Sequence, residues 1–166
     1  MSIIKSILGL FSNDLLIELG EELITVKVFG ENTELDLAPY VAIHDINEKS
    51  IIRDIGAGAR VFTEKKIRIV NPFSHSRSMV GDFQVAEKVI QYAVQKVHKN
   101  RFFSPAPRVV MYQLEKAEGG LSDVEIKVLR ELALSAGARE VIVHEGKRIN
   151  TLHRTYAEVS AANDIV

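Results

Sequence analysis

The chain has 166 residues, with 46% hydrophobic and 26% charged side chains, a composition close to the globular average and sufficient for one ordinary domain with a sizeable core. Twenty-one basic and 22 acidic residues leave a net charge of −1, which argues against a broad nucleic-acid-binding surface. There is no cysteine, so disulfides and thiolate metal sites are excluded. No apolar run approaches the ~20 residues of a membrane span. No secretory pattern opens the chain, so a cytoplasmic protein is expected.

Residues 1–12, MSIIKSILGLFS, place Ile3, Ile4, Ile7, Leu8 and Phe11 on one helical face. A helix this short needs a surface to stabilise it. Two supports are open: the segment packs on its own domain, or it lies in a membrane interface with Lys5 near anionic headgroups.

Residues 13–28, NDLLIELGEELITVKV, read as two strands, 15–19 and 23–28, joined by a turn at Gly20-Glu21-Glu22. Thr33–Leu37 is a third strand, ended by Pro39. Strand-like runs follow at 40–44, 50–55 and 66–70, with a turn at 47–49. Gly56-Ala57-Gly58-Ala59-Arg60 is a loop or one helical turn. No G-K-[ST] follows it and no G-x-G-x-x-G is complete, so it is a weak phosphate-loop signal.

The most regular helix runs from Asp82, a good N-cap, to Asn100, with Val85, Ala86, Val89, Ile90, Ala93, Val94 and Val97 on one face. Arg108–Leu114 is a buried strand. Ser122 and Glu125 match a capping box that opens a helix to about Ala136. In that helix Val124, Val128, Leu132 and Ala136 are expected to face inward, and Gly137 to end it. Val141–His144 is the next strand, and 149–162 a last helix. The fold class is therefore α/β (α+β). Its order is βββαβαβα around a small inserted unit, which fits a ribonuclease-H-like core with right-handed crossovers.

Several of these stretches resemble the MreB family of actin-like, rod-shape-determining proteins. EKVIQYAVQKVH (87–98) and SAGAREVIVHE (135–145) are similar to its E-K-M-L-x-x-F-I-x-x-V-H and G-A-G-A-R-E-V-x-L-I-E-E segments. Pro39–Ile43, Ile55-Gly56, Arg68–Pro72 and Val80–Phe83 follow in family order. The resemblance covers about residues 12–145. It implies an actin-like ATPase core made of subdomain IA (13–35 and 80–166), an inserted IB-like unit (36–79) and the N-terminal segment (1–12). Many MreB proteins carry an amphipathic N-terminal segment, so the resemblance favours membrane contact by Ile3, Ile4, Ile7, Leu8 and Phe11 at the inner face of the cell membrane.

In that family the first hairpin carries a phosphate-binding turn, D-L-G-T-x-N-T. Here the turn is shorter and reads E-L-G-E-E. Gly20, Glu21 and Glu22 are its vestigial counterparts, and Glu18 stands where the metal-placing Asp would be. Two carboxylates beside a phosphate are unfavourable. At roughly 4 Å and an effective dielectric of about 20, each like-charge contact costs on the order of 4 kcal/mol before screening, against about 1 kcal/mol from a neutral hydrogen bond. Glu125 aligns with the glutamate that orients water in the family. Its alternative role is partner of Ser122 in the capping box. The family's second phosphate hairpin and adenine site have no match here, and GKRINTLHRT replaces its P-M-A-A-A-I-G helix.

The resemblance thus implies a cell-shape or cytoskeletal protein without catalysis, its ATP and Mg²⁺ lost. It would bind an MreB-type filament, a second copy of itself or the membrane, and no nucleic acid. Two alternatives stand beside this reading. One is a remnant that still binds ATP weakly. The other is a Mg²⁺-dependent nuclease on the same core, with Glu18, Glu87 and Glu115 or Glu145 as carboxylates. The five histidines, 44, 75, 98, 144 and 153, form no i, i+4 pair.

Overall fold

A computed structural model describes residues 14–98 and 105–163. The N-terminal segment, with Ile3, Ile4, Ile7, Leu8 and Phe11, lies outside the described residues. Among the described residues eight strands and three α-helices follow one another in the expected order.

The first strand, β1 (Leu15–Leu19), is buried at all five positions. It pairs antiparallel with β2 (Ile24–Val28), Leu15 opposite Val28 and Leu19 opposite Ile24. It also pairs parallel with β7 (Arg108–Gln113), Leu15 opposite Val109. With β3 (Glu34–Leu37) and β8 (Glu140–His144) the sheet order is β3-β2-β1-β7-β8. A strand with neighbours on both edges and layers on both faces must be apolar throughout. LLIEL meets that demand except at Glu18.

Strand periodicity divides the sheet's two faces. Leu15, Ile17, Leu19, Val26 and Met111 join helix α1 (Phe83–His98) and helix α2 (Asp123–Ser135) in the main core. Leu16 and Val110 point the other way, against Ile149, Tyr156 and Val159. Asp82 Oδ1 accepts the Val85 N–H at 3.1 Å and caps α1. The expected stripe of α1, Val85, Ala86, Val89, Ile90, Ala93 and Val94, is buried.

The inserted unit is a separate antiparallel sheet, β5-β4-β6, made of β4 (Val41–Ile46), β5 (Lys49–Ile55) and β6 (Ile67–Val70). Asn47 and Glu48 have φ of 48° and 63°, the two left-handed residues of a type I′ hairpin turn. A 3₁₀ turn, Ala57–Val61, follows β5. Val41 and Ile43, with Phe73 and Met79 from the returning chain, enter the main core and attach this sheet to the larger one.

Two expectations are corrected. Val124 does not face inward; it is 71% exposed, and Leu129, Leu132 and Ala133 form the buried side of α2. A spacing of four residues overshoots one turn by about 40°. A stripe stepped 124, 128, 132, 136 therefore rotates off the core by its far end. The last helix also does not begin at residue 149. Helix α3 spans Tyr156–Asn163 only. Asn150 takes the Leu152 N–H on its side chain at 3.0 Å, turning the chain before the helix begins. Thr155 and Glu158 then exchange backbone bonds, Thr155 N–H to Glu158 at 2.7 Å and Glu158 N–H to Thr155 Oγ1 at 3.3 Å. Ile149 is buried against the sheet, and the Gly30 N–H donates to Thr151 O at 2.8 Å.

Helix α3 is tied to the sheet by Arg108. Its guanidinium is bidentate to Asp14, with Nε at 2.8 Å from Oδ1, and lies 4.3 Å from the centre of the Tyr156 ring. Asp14 raises the Arg108 pKa further, and burial pushes the Tyr156 hydroxyl up. Replacing Arg108 by Met leaves Asp14 half-buried without its cation. The expected loss is about 2–3 kcal/mol in urea denaturation, with α3 released first in hydrogen exchange.

Candidate functional site

The site grows from the carboxyl end of β1. Gly20 N–H donates to Leu23 O at 3.0 Å, closing a tight turn to β2. A Cβ on Gly20 would stand 2.9 Å from that same oxygen, so only glycine fits. The turn projects Glu21 and Glu22 beside the loop that follows β7, because β1 and β7 run parallel and end together. At such carboxyl ends of parallel strands, open α/β sheets form their binding crevices.

The Glu21 backbone and both carboxylates of the turn meet side chains of this same protein. The Glu21 N–H donates to Glu115 Oε2 at 3.2 Å. Glu21 O accepts from Asn71 Nδ2 at 2.8 Å. The Glu21 carboxylate pairs with Lys116 Nζ at 3.0 Å, and that ammonium also donates to His75 O at 2.7 Å and Phe73 O at 3.3 Å. Tyr40 OH donates to both oxygens of Glu22, at 2.7 and 3.0 Å, and Arg60 lies 4.5 Å above the Tyr40 ring. The bond to the Glu22 carboxylate, followed by burial, holds the Tyr40 hydroxyl above its ordinary pKa.

The other candidate residues are dispersed. Glu18 is buried on the second face of the sheet, with Lys27 Nζ at 3.0 Å; its second oxygen finds no hydrogen-bond partner among the described residues. Glu125 is held by Ser122 in a complete capping box, and the side-chain bond from Ser122, then its backbone bond, draw the Glu125 pKa down. Glu87 accepts from Gln91 on the next turn of α1 at 3.1 Å. Glu145 accepts the Leu121 N–H at 2.8 Å. Glu18, Glu87, Glu115 and Glu145, the carboxylates of the two-metal alternative, each have a separate partner, and no three His, Asp or Glu among the described residues are arranged to hold a metal ion. His75 faces Ser78 at 3.1 Å, while His144 bonds to Lys147 O at 2.9 Å and stacks obliquely on Tyr112. A cleft of 460 Å³ runs beside the site between the ends of β7 and β8, lined by Tyr112, Lys116, Glu118, His144 and Glu145 among others.

Sequence reasoning found the turn and missed its partners. Lys116, Tyr40, Asn71 and Glu115 lie from 18 positions (Tyr40 to Glu22) to 95 positions (Lys116 to Glu21) from the turn residues they engage, and no local pattern announces such contacts. The one local signal is Gln113, whose amide donates to Glu115 O and Lys116 O and holds that loop in place.

A mixed sheet built on three antiparallel strands and two parallel βα units, with an inserted sheet closing over the first turn, defines an actin-like fold. The crystal structure of MreB5 of Spiroplasma citri bound to ADP matches it with a TM-score of 0.60 at 18% identity, covering 80% of this chain and 38% of that one. A non-polymerising mutant of MamK bound to AMPPNP matches with a TM-score of 0.58 at 15% identity, covering 80% and 41%. Sequence identifies the family within this fold. Residues 12–152 match the MreB/Mbl protein family, and the chain belongs to it. It is 36% identical over 146 residues to the cell shape-determining protein MreB of Pasteurella multocida, a match that takes in 85% of this chain and 40% of that protein. The chain thus spans well under half the length of this relative. Among the described residues no helix is long and apolar enough to cross a membrane.

The capping box gives the site a testable pH dependence. Glu125 has its folded pKa below the ordinary 4.5, so its contribution is complete above that pH and is lost as pH falls through the lowered value. Ser122→Ala should cost about 1 kcal/mol at neutral pH. The gap between variant and wild type should narrow on acidification below pH 4.5 in urea titrations.

Proposed function

We propose that this chain is a non-catalytic member of the MreB family that acts by associating with an MreB-type protomer, without turning over nucleotide. The observation that carries the non-catalytic reading is the β1–β2 turn, whose N–H at Glu21 already serves the Glu115 carboxylate. The solved relatives carry ADP or AMPPNP. A phosphate at such a turn needs free backbone donors, hydroxyls and a positive surround. This turn offers Glu21, Glu22 and Glu115, with its one nearby ammonium bonded to Glu21 and two carbonyls. The residues present do not fit a nucleotide phosphate or its Mg²⁺. Titration calorimetry with Mg²⁺-ATP and Mg²⁺-ADP should give no binding heat at millimolar ligand. Micromolar affinity for either would overturn the reading.

Association is supported by the exposed start of α2. Val124, 71% exposed, and Phe83, 39% exposed, share with Val128 an apolar depression rimmed by Asp123, Lys127 and Glu131. An apolar patch inside a ring of mixed charges is the usual make-up of a protein-binding face. A helix face meeting its own copy about a two-fold axis would set Lys127 against the partner's acidic positions. In analytical ultracentrifugation the wild-type chain should show mass increasing with concentration, and Val124→Glu should sediment as monomer with an unchanged melting temperature. A wild type that stays monomeric and does not bind full-length MreB would remove the association from the account.

A further inference from the structure

We propose that Lys116 is a positioning residue that holds the inserted β5-β4-β6 sheet closed on the core, a built-in strut that makes this closure independent of any bound ligand.

The ammonium of Lys116 joins three stretches of chain that are remote in sequence. It pairs with Glu21 on the β1–β2 turn at 3.0 Å and donates to His75 O at 2.7 Å and Phe73 O at 3.3 Å, on the segment by which the chain returns from the inserted sheet. Its own backbone belongs to the loop after β7. One cation therefore ties the first turn of the core, the loop after β7 and the exit of the insertion. Three further contacts run parallel to it: Glu115 on the Glu21 N–H, Asn71 on Glu21 O and Tyr40 on Glu22. Tyr40 immediately precedes β4 and Asn71 immediately follows β6. Both ends of the insertion are therefore fastened to one three-residue turn.

The backbone of Lys116 supports this role independently. Its φ is +57°, a left-handed conformation that side-chain-bearing residues adopt rarely and at a cost. Glycine or asparagine would occupy the position with less strain. A lysine persists there with three oxygen partners and most of its side chain covered. The strain has a return only through the ammonium, because the neighbouring Gln113 amide already holds the loop carbonyls. Closure of the insertion by the chain's own side chains also leaves the core free to do without a ligand at this turn. The inference does not depend on whether nucleotide binds elsewhere on the chain.

The two possible roles of Lys116 predict opposite signs for one substitution. If position 116 is only a turn, Lys116→Gly relieves the left-handed strain and leaves protection unchanged or greater. If the ammonium is a strut, the same change loosens the insertion. Hydrogen–deuterium exchange of the full chain, read by mass spectrometry, should show amides of 41–46 and 67–75 exchanging about tenfold faster in Lys116→Gly, the factor expected for one lost charge-assisted hydrogen bond. Amides of β1 and β7 should keep their rates. Lys116→Asn, which also tolerates the backbone, should repeat the result and serves if the glycine variant fails to fold. Lys147→Gln, in the exposed loop after β8, should change nothing at 41–46. Unchanged exchange at 41–46 and 67–75 in both variants, or an equal rise in β1 and β7, would overturn the proposal.

Discussion

The molecule depends on the burial of β1 on both edges and both faces. Leu15, Leu16, Ile17 and Leu19 are fully covered, each contributing about 1.5–3 kcal/mol relative to exposure. Because β1 pairs antiparallel with β2 and parallel with β7, its carboxyl end must bear a tight hairpin turn beside the loop after β7. The location of the site follows from this pairing. A slip of one residue would place Glu18 among the helices and Leu19 on the second face, so the register is strongly specified.

The chemistry at that end is set by charge. Glu21, Glu22 and Glu115 stand close together, and the fold answers their carboxylates with internal donors: the Lys116 ammonium, the Tyr40 hydroxyl and the Glu21 N–H itself, while the Asn71 amide serves the Glu21 carbonyl. Exposed ion pairs contribute little to stability individually. These are partly covered and share partners, so their value lies in fixing geometry between two sheets. The proposal of a non-catalytic chain rests on this turn, where the Glu21 N–H already serves Glu115 and two carboxylates stand beside it. The same contacts fasten both ends of the insertion to the turn.

Much of the fold was legible because the signals are local. β1 is a continuous apolar run, α1 has a wide stripe behind Asp82, and Ser122-x-x-Glu125 is a complete capping box. The two errors have local causes as well. A stripe stepped by four leaves the buried face of α2 by the time it reaches Val124. The start of α3 lies beyond Ile149, at Thr155-x-x-Glu158, which repeats the capping-box pattern of Ser122-x-x-Glu125. The site was only half legible. Gly20, Glu21 and Glu22 could be read as a tight turn at the end of β1. Nothing in the sequence indicates that Lys116, Tyr40 and Asn71 converge on it, because those contacts exist only once the two sheets share the Val41–Ile43–Phe73 core.

The central claim is that the Glu21 N–H is occupied by the protein's own carboxylate, and the amide proton of Glu21 reports on it directly. In ¹⁵N-labelled protein its resonance should move strongly on Glu115→Gln and stay fixed when Mg²⁺-ATP is added to the wild type. A Glu21 amide that is indifferent to Glu115→Gln and shifts with Mg²⁺-ATP would contradict the account.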